Sequence, residues 1–168
     1  MTANTPPSSM GIIMLHPFFV PLFNELGLLK EDQFINDNAR LKAFAVLRYI
    51  VFGNEDVAAQ SEVFLKFLCG IEATSFIQIV MPLSDEAIRM ILECLQSFIA
   101  HWPALKNTSV ESLRTFFFQR QGSLRKEGDL IAIKIEGSGI DILLDQYPWN
   151  LSILKLPWIK PLLYVSVG

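Results

Sequence analysis

Charge, cysteine and histidine are all scarce in this chain. Only 18% of its 168 residues are Asp, Glu, Lys or Arg, and 14 basic residues against 17 acidic ones leave a net charge of −3. Binding nucleic acid through its phosphates needs a basic stripe, so that class of partner is not expected. Two cysteines, Cys69 and Cys94, make no disulfide framework and read as inert thiols in a reducing compartment. Only His16 and His101 could join them around a metal, and neither lies at ligand spacing. No Gly-x-Ser-x-Gly, His-Glu-x-x-His or phosphate-cradling loop occurs, so neither a cofactor nor a catalytic residue is expected. Residues 1–24 hold no Lys or Arg, and the apolar run Met10 to Phe23 lacks both a basic flank and a small-residue cleavage site. Pro17 and Pro21 interrupt that run, and it is too short to cross a bilayer. Neither a targeting segment nor stable membrane insertion is expected.

Apolar residues are plentiful, at 51%, with 13 Phe and 3 Trp. Such aromatic content serves either a Phe-rich core or a surface kept for a partner. The length fits one domain able to bury a sizeable core. Residues 1–9, polar and containing Pro6-Pro7, read as a disordered lead or linker, and residues 10–168 as the single folded domain.

Local patterning predicts the elements. Met10 to Leu15 reads as a short strand or extended entry. Pro17 suits the first turn of a helix ending before Gly27. A second helix from Asp37 to Phe52 is apolar nearly all round, which predicts a central position, with Gly53-Asn54 as its stop. A third runs from about Val57 to Cys69, ended by Gly70. Ser84 caps a fourth, in which Ile88, Ile91, Leu95 and Phe98 recur at helical spacing as far as His101. Pro103 and Asn107 break the chain, and Thr108 with Glu111 three residues on has the form of a capping box. The fifth helix then covers Ser109 to Gln121, with Phe118 a right angle away from the Val110–Leu113–Phe117 stripe, where it is either covered by the C-terminal sheet, the favoured reading, or a partner contact.

After Gly122 the period becomes two. Ile131, Ile133 and Ile135 share one strand face, and Gly137-Ser138-Gly139 offers a hairpin turn. Ile140, Ile142 and Leu144 repeat the alternation, and Leu151 to Leu156 forms the last strand. Leu124 to Lys126 adds an edge. The expected class is α+β: about five helices in an N-terminal array, then a small antiparallel β-meander of three to four strands.

Among groups with chemical potential, His101 is the best base, with Asp141 and Asp145 as orienters. A His at a helix C-terminus is better explained by the helix dipole. The candidates for contacting a partner are Trp158, Lys160, Lys155, Trp149, Phe118, Lys106 and Asn107. Trp beside Lys on a proline-stiffened segment makes a rigid aromatic anchor. Trp149 is expected inside and Trp158 near the surface, while Lys106 and Asn107 sit on a loop between helices.

Five segments, taken in order, carry a resemblance. They are Gly11 to Phe19 with Pro21-Leu22-Phe23; Phe67-Leu68-Cys69-Gly70; His101-Trp102-Pro103-Ala104-Leu105 through Arg114; Phe118-Gln119-Arg120-Gln121-Gly122; and Tyr147-Pro148-Trp149 with Leu156-Pro157-Trp158-Ile159-Lys160-Pro161. Together they resemble the conserved C-terminal domain of the contractile injection system tape measure family. The resemblance implies a non-enzymatic structural or assembly module whose partners are inner-tube or baseplate-hub proteins. It would be made in the cytoplasm and then held within the particle. The competing implication is a stand-alone assembly factor or chaperone for tape measure or cargo loading. A tube with cyclic symmetry also admits a homo-oligomer. At about 1.5 Å per helical residue, 168 residues span only about 250 Å as one straight helix. The measuring rod is therefore expected to be absent from this stretch of chain.

Overall fold

The computed structural model describes residues 9–54, 62–75 and 82–168. The chain enters through a 3-10 helix, Met10–Phe18, whose Met10, Ile12, Ile13, Met14 and Leu15 are wholly buried. The expected extended entry is thus corrected to a helical one. It leads directly into α1 (Phe19–Glu25), and Gly27 leaves with φ 76°. Leu29–Lys30 (β1) and Gln33–Phe34 (β2) form a minimal hairpin. Its turn residues Glu31 and Asp32 take φ of 52° and 63°, the conformation a two-residue connection needs.

The second helix, α2, spans Asp37–Phe52. Asn36 caps it through Oδ1, which accepts from the Ala39 N–H at 2.8 Å, and Gly53 closes it at φ 74°. Ala43 to Leu47, Ile50 and Val51 are buried, so this helix is central, as its all-round apolarity predicts. Glu62–Leu68 form α3, with Gly70 left-handed after it; the expected start near Val57 lies outside the described residues. Ser84 caps α4 (Asp85–His101), accepting from Ala87 N–H at 3.1 Å. Ala87, Ile91, Leu95 and Phe98 face the core, while Arg89 bridges Glu86 and Glu93 on the wet side.

The fifth helix departs from expectation in two ways. Its cap is Ser109, whose Oγ accepts from Ser112 N–H at 3.0 Å, so the Thr108–Glu111 box is corrected by one residue. The Thr108 N–H is already held by Leu105 O at 2.8 Å, which keeps Thr108 in the preceding turn. Only Val110–Leu113 (α5) is α-helical; Arg114–Phe118 widens into a π turn closed by Gln119 N–H to Arg114 O at 2.9 Å. Phe117 and Phe118 are both buried there, and Phe116 is left out at 54% exposure.

The sheet is mixed rather than an antiparallel meander. Gly122–Glu127 (β3) and Leu130–Ile135 (β4) form a hairpin; Ile153–Leu154 (β5) and Leu162–Val167 (β6) follow, in the order β3-β4-β6-β5. β4 and β6 are parallel, and residues 136–161 cross between them. The expected strand at Ile140 to Leu144 is instead a 3-10 helix, Gly139–Gln146. Asp141 decides this: its Oδ2 accepts from the Ser138 N–H at 2.7 Å and pairs with Arg120 at 3.0 Å, which pulls the chain into a turn. Gly137-Ser138-Gly139 therefore opens a helix instead of a hairpin. The last strand, expected at Leu151 to Leu156, contracts to Ile153–Leu154 and pairs with β6, whose own strand character the sequence reading did not anticipate.

Candidate functional site

The five segments that carry the resemblance lie far apart in sequence and meet in the fold at three joints. At the first, Trp102 is wholly buried; its indole N–H donates to Leu143 O at 3.2 Å, and its ring lies 5.1 Å from that of Tyr147 and 5.4 Å from Phe117. Tyr147 OH donates to Met14 O at 2.5 Å, and burial pushes its phenol well above the ordinary value. Trp149 stacks on Phe98 at 5.3 Å and meets Phe18 edge-on at 5.4 Å. His16 Nε2–H donates to Asn150 O at 2.7 Å. The opening segment, the His-Trp-Pro stretch and the Tyr-Pro-Trp turn are thus one aromatic cluster.

The second joint fastens the C-terminal segment to α3 and the small hairpin. Trp158 Nε1–H donates to Leu68 O at 2.7 Å, and its ring sits 4.8 Å from Phe34 and 5.8 Å from Phe23. Gln33 Nε2–H donates to Pro157 O at 2.7 Å. The Lys155 ammonium folds into its own loop, donating to Lys160 O at 3.0 Å, to Leu156 O and to Ile159 O.

The third joint is polar. Arg114 is buried and donates to Ile50 O at 3.0 Å, Tyr49 O at 3.3 Å and the Glu111 carboxylate at 2.7 Å, while Gln119 donates to Val51 O at 2.9 Å. These side chains satisfy the last carbonyls of α2 and set a cation on the negative end of its dipole. Arg120 donates to Glu136 O at 2.6 Å and to Asp141, and its carbonyl accepts from the Met10 N–H at 3.0 Å.

The partner-contact candidates therefore separate. Phe118 is fully buried against Phe98, with no surface left to offer. Trp149 and Trp158 are both half-buried, against the expectation of one inside and one out. Each indole is tied by rings or a carbonyl to its own chain. The Lys155 ammonium is committed to carbonyls, whereas Lys160, Lys106 and Asn107 are exposed. Asn107 takes φ 71°, as its turn position suggests. His101 is exposed at the end of α4, and its Nδ1–H donates to Ser97 O at 2.7 Å. Among the described residues no hydrogen bond or ion pair joins it to Asp141 or Asp145. Nor does any group of three or more His, Cys, Asp or Glu there stand ready for a metal. Burial pushes the Cys69 thiol far up and the Cys94 thiol to about 12, which leaves both poor nucleophiles.

His16 gives the first joint a pH dependence. Burial holds its imidazole below the ordinary 6.5, outweighing the bond to Asn150. The unfolded chain then takes up a proton before the native one does. Stability is full above about 6.5 and is lost as pH falls through the depressed native value. Chemical denaturation from pH 7.5 down to 5.5 should show the midpoint falling in the parent and falling less in His16→Gln, which keeps a donor for Asn150 O but cannot titrate. Parallel curves for the two proteins would refute this.

A further surface, which no motif in the sequence marks, is the outer face of the sheet. The register places Leu130, Ala132, Ile153, Leu162 and Tyr164 together on the face turned from the core, with Lys134 and the ion-paired Arg125 and Glu127 at its edge. Ile153, Leu162 and Tyr164 are 47%, 43% and 41% exposed. The alternation Leu162-Leu163-Tyr164-Val165 was its signal, obscured by the prolines just before it. Among the described residues no helix is long and apolar enough to cross a membrane.

The three joints tie the five segments into one packed body and leave an apolar sheet face uncovered. Residues 8–166 match the family model of the contractile injection system tape measure protein, and the chain belongs to that family. No match was found among curated proteins or among solved structures.

Proposed function

We propose that this chain is a non-enzymatic assembly module of a contractile injection system and that it contacts an inner-tube or baseplate-hub protein through the outer face of its sheet. Family membership supports the machine. The observation that carries the surface is that Ile153, Leu162 and Tyr164 are exposed side by side on the paired strands β5 and β6. Contiguous apolar side chains rimmed by charged groups of both signs are the composition of an interface centre and its margin. In this reading the three joints hold the face rigid, and the tryptophans act by positioning it. The protein is synthesised in the cytoplasm and ends within the particle.

The test is incorporation. Tyr164→Glu, at a side chain facing water, should change stability by no more than about 0.5 kcal/mol. It should also lower the amount of this chain in purified particles, measured by mass spectrometry, by about tenfold. Unchanged incorporation would remove the sheet face from the reading. If the parent chain itself is absent from purified particles, the proposal gives way to an assembly factor or chaperone that acts before loading.

A further inference from the structure

We infer that the cleft between α1 and α4 is a second docking site, and that it takes a protein segment presenting an apolar side chain followed by Lys or Arg. The cleft has a volume of about 220 Å³ and is lined by Phe18, Leu22, Met90 and Cys94, with Glu25 and Glu93 among the residues at its rim. It is smaller than the cavities that enclose whole cofactors or drug-sized ligands, and its scale is that of a side chain. No Lys or Arg lines it.

The two rim carboxylates are not equivalent. Glu93 is paired with Arg89 at 2.6 Å, whereas Glu25 has no ion pair among the described residues. Its charge reaches into the cleft, where it adds to burial in raising the Cys94 thiol. Outside the described residues, stretches 1–8, 55–61 and 76–81 contain neither Lys nor Arg. An apolar slot with one uncompensated carboxylate at its mouth is complementary to a cationic, partly apolar segment from another chain. Seating that segment would exclude water beside Glu25 and strengthen the pairing.

The partner identity rests on the assembly reading above, but the chemistry can be tested without it. The probes are two helical peptides differing only in having Leu with Lys, or Leu with Glu, four residues apart on one face. Binding to the full chain is followed by NMR at the Met90 methyl group and the Glu25 amide. The Leu/Lys peptide should shift both signals saturably and bind more tightly at low salt. Glu25→Gln should weaken it about fivefold, and Ser97→Trp, which fills the cleft, should abolish it. Circular dichroism confirms that each variant is folded. Equal binding of the Leu/Glu peptide, or undiminished binding to Glu25→Gln, overturns the inference. A dimer of this chain that dissociates on Glu25→Gln substitution overturns it too, by making a second copy the occupant. None of these outcomes bears on incorporation of Tyr164→Glu into particles, so the two readings fail separately.

Discussion

Gly11→Ala should be the most damaging small substitution in this protein. A Cβ at Gly11 would stand 1.6 Å from the carbonyl oxygen of Phe117, 2.7 Å from its carbon and 2.9 Å from Cγ of Arg120. The obstacle is backbone, so no rotamer change relieves it. The opening 3-10 helix must move away from the π turn, and the bond from Met10 N–H to Arg120 O is lost with it. Overpacking of this kind costs about 3 kcal/mol or more, a large part of a small domain's stability. Gly139→Ala is the control, because a Cβ there meets nothing within 4 Å and its backbone is ordinary. That variant should match the parent within about 0.5 kcal/mol or gain slightly through the unfolded state. Urea unfolding of the three proteins decides the matter, and near-equal midpoints for Gly11→Ala and the parent would sink the claim.

Arg114→Met should cost about 3 kcal/mol, and Arg114→Lys should recover little of it. The guanidinium reaches Tyr49 O, Ile50 O and Glu111 from three nitrogens, a fan that a lysine ammonium cannot reproduce. Methionine fills the space but leaves Ile50 O without a donor and Tyr49 O with only the Gly53 N–H, and an unsatisfied buried acceptor costs about 1–3 kcal/mol. The ion pair is the lesser part. Glu111 is 80% exposed at its side chain, so Glu111→Gln should lose no more than about 0.5–1 kcal/mol. Thermal or urea unfolding that ranks Glu111→Gln beside Arg114→Met would show that the cap is not what Arg114 supplies.

These two residues explain how the resemblance could be visible in sequence while its meaning was not. Gly11 and Arg114 belong to segments that were recognisable as a pattern, yet each acts on a partner remote in the chain: Phe117 for the first, the end of α2 for the second. Local physics did reveal α2 and α4, because an apolar pattern agrees with a glycine stop in the first and with a Ser cap in the second. It also revealed β4, whose three isoleucines alternate on the core side. It failed at Ile140 to Leu144. Three alternating residues suit a strand as well as a helix, and the deciding contact of Asp141 with Arg120 lies 21 positions away. The same limit applied to the candidate site. Trp158 beside Lys160 looks like an exposed anchor until Leu68 O takes its N–H, and at Phe118 the choice between a covered side chain and a partner contact falls to coverage, against Phe98.

The sequence by itself determined the composition-level conclusions and the family. Sparse charge argued against a nucleic-acid footprint, and five ordered motifs pointed to the tape measure family that residues 8–166 match. It also determined the α+β class, since the change of period at Gly122 is a local property of the chain. Only the tertiary structure decided that β4 and β6 run parallel and that the motifs are joints. Strand pairing and carbonyl capping join residues that no local window contains together. It alone decided which apolar side chains were left over for a partner. Exposure is what remains after packing has chosen its own, and no residue type announces which side of that choice it will fall on.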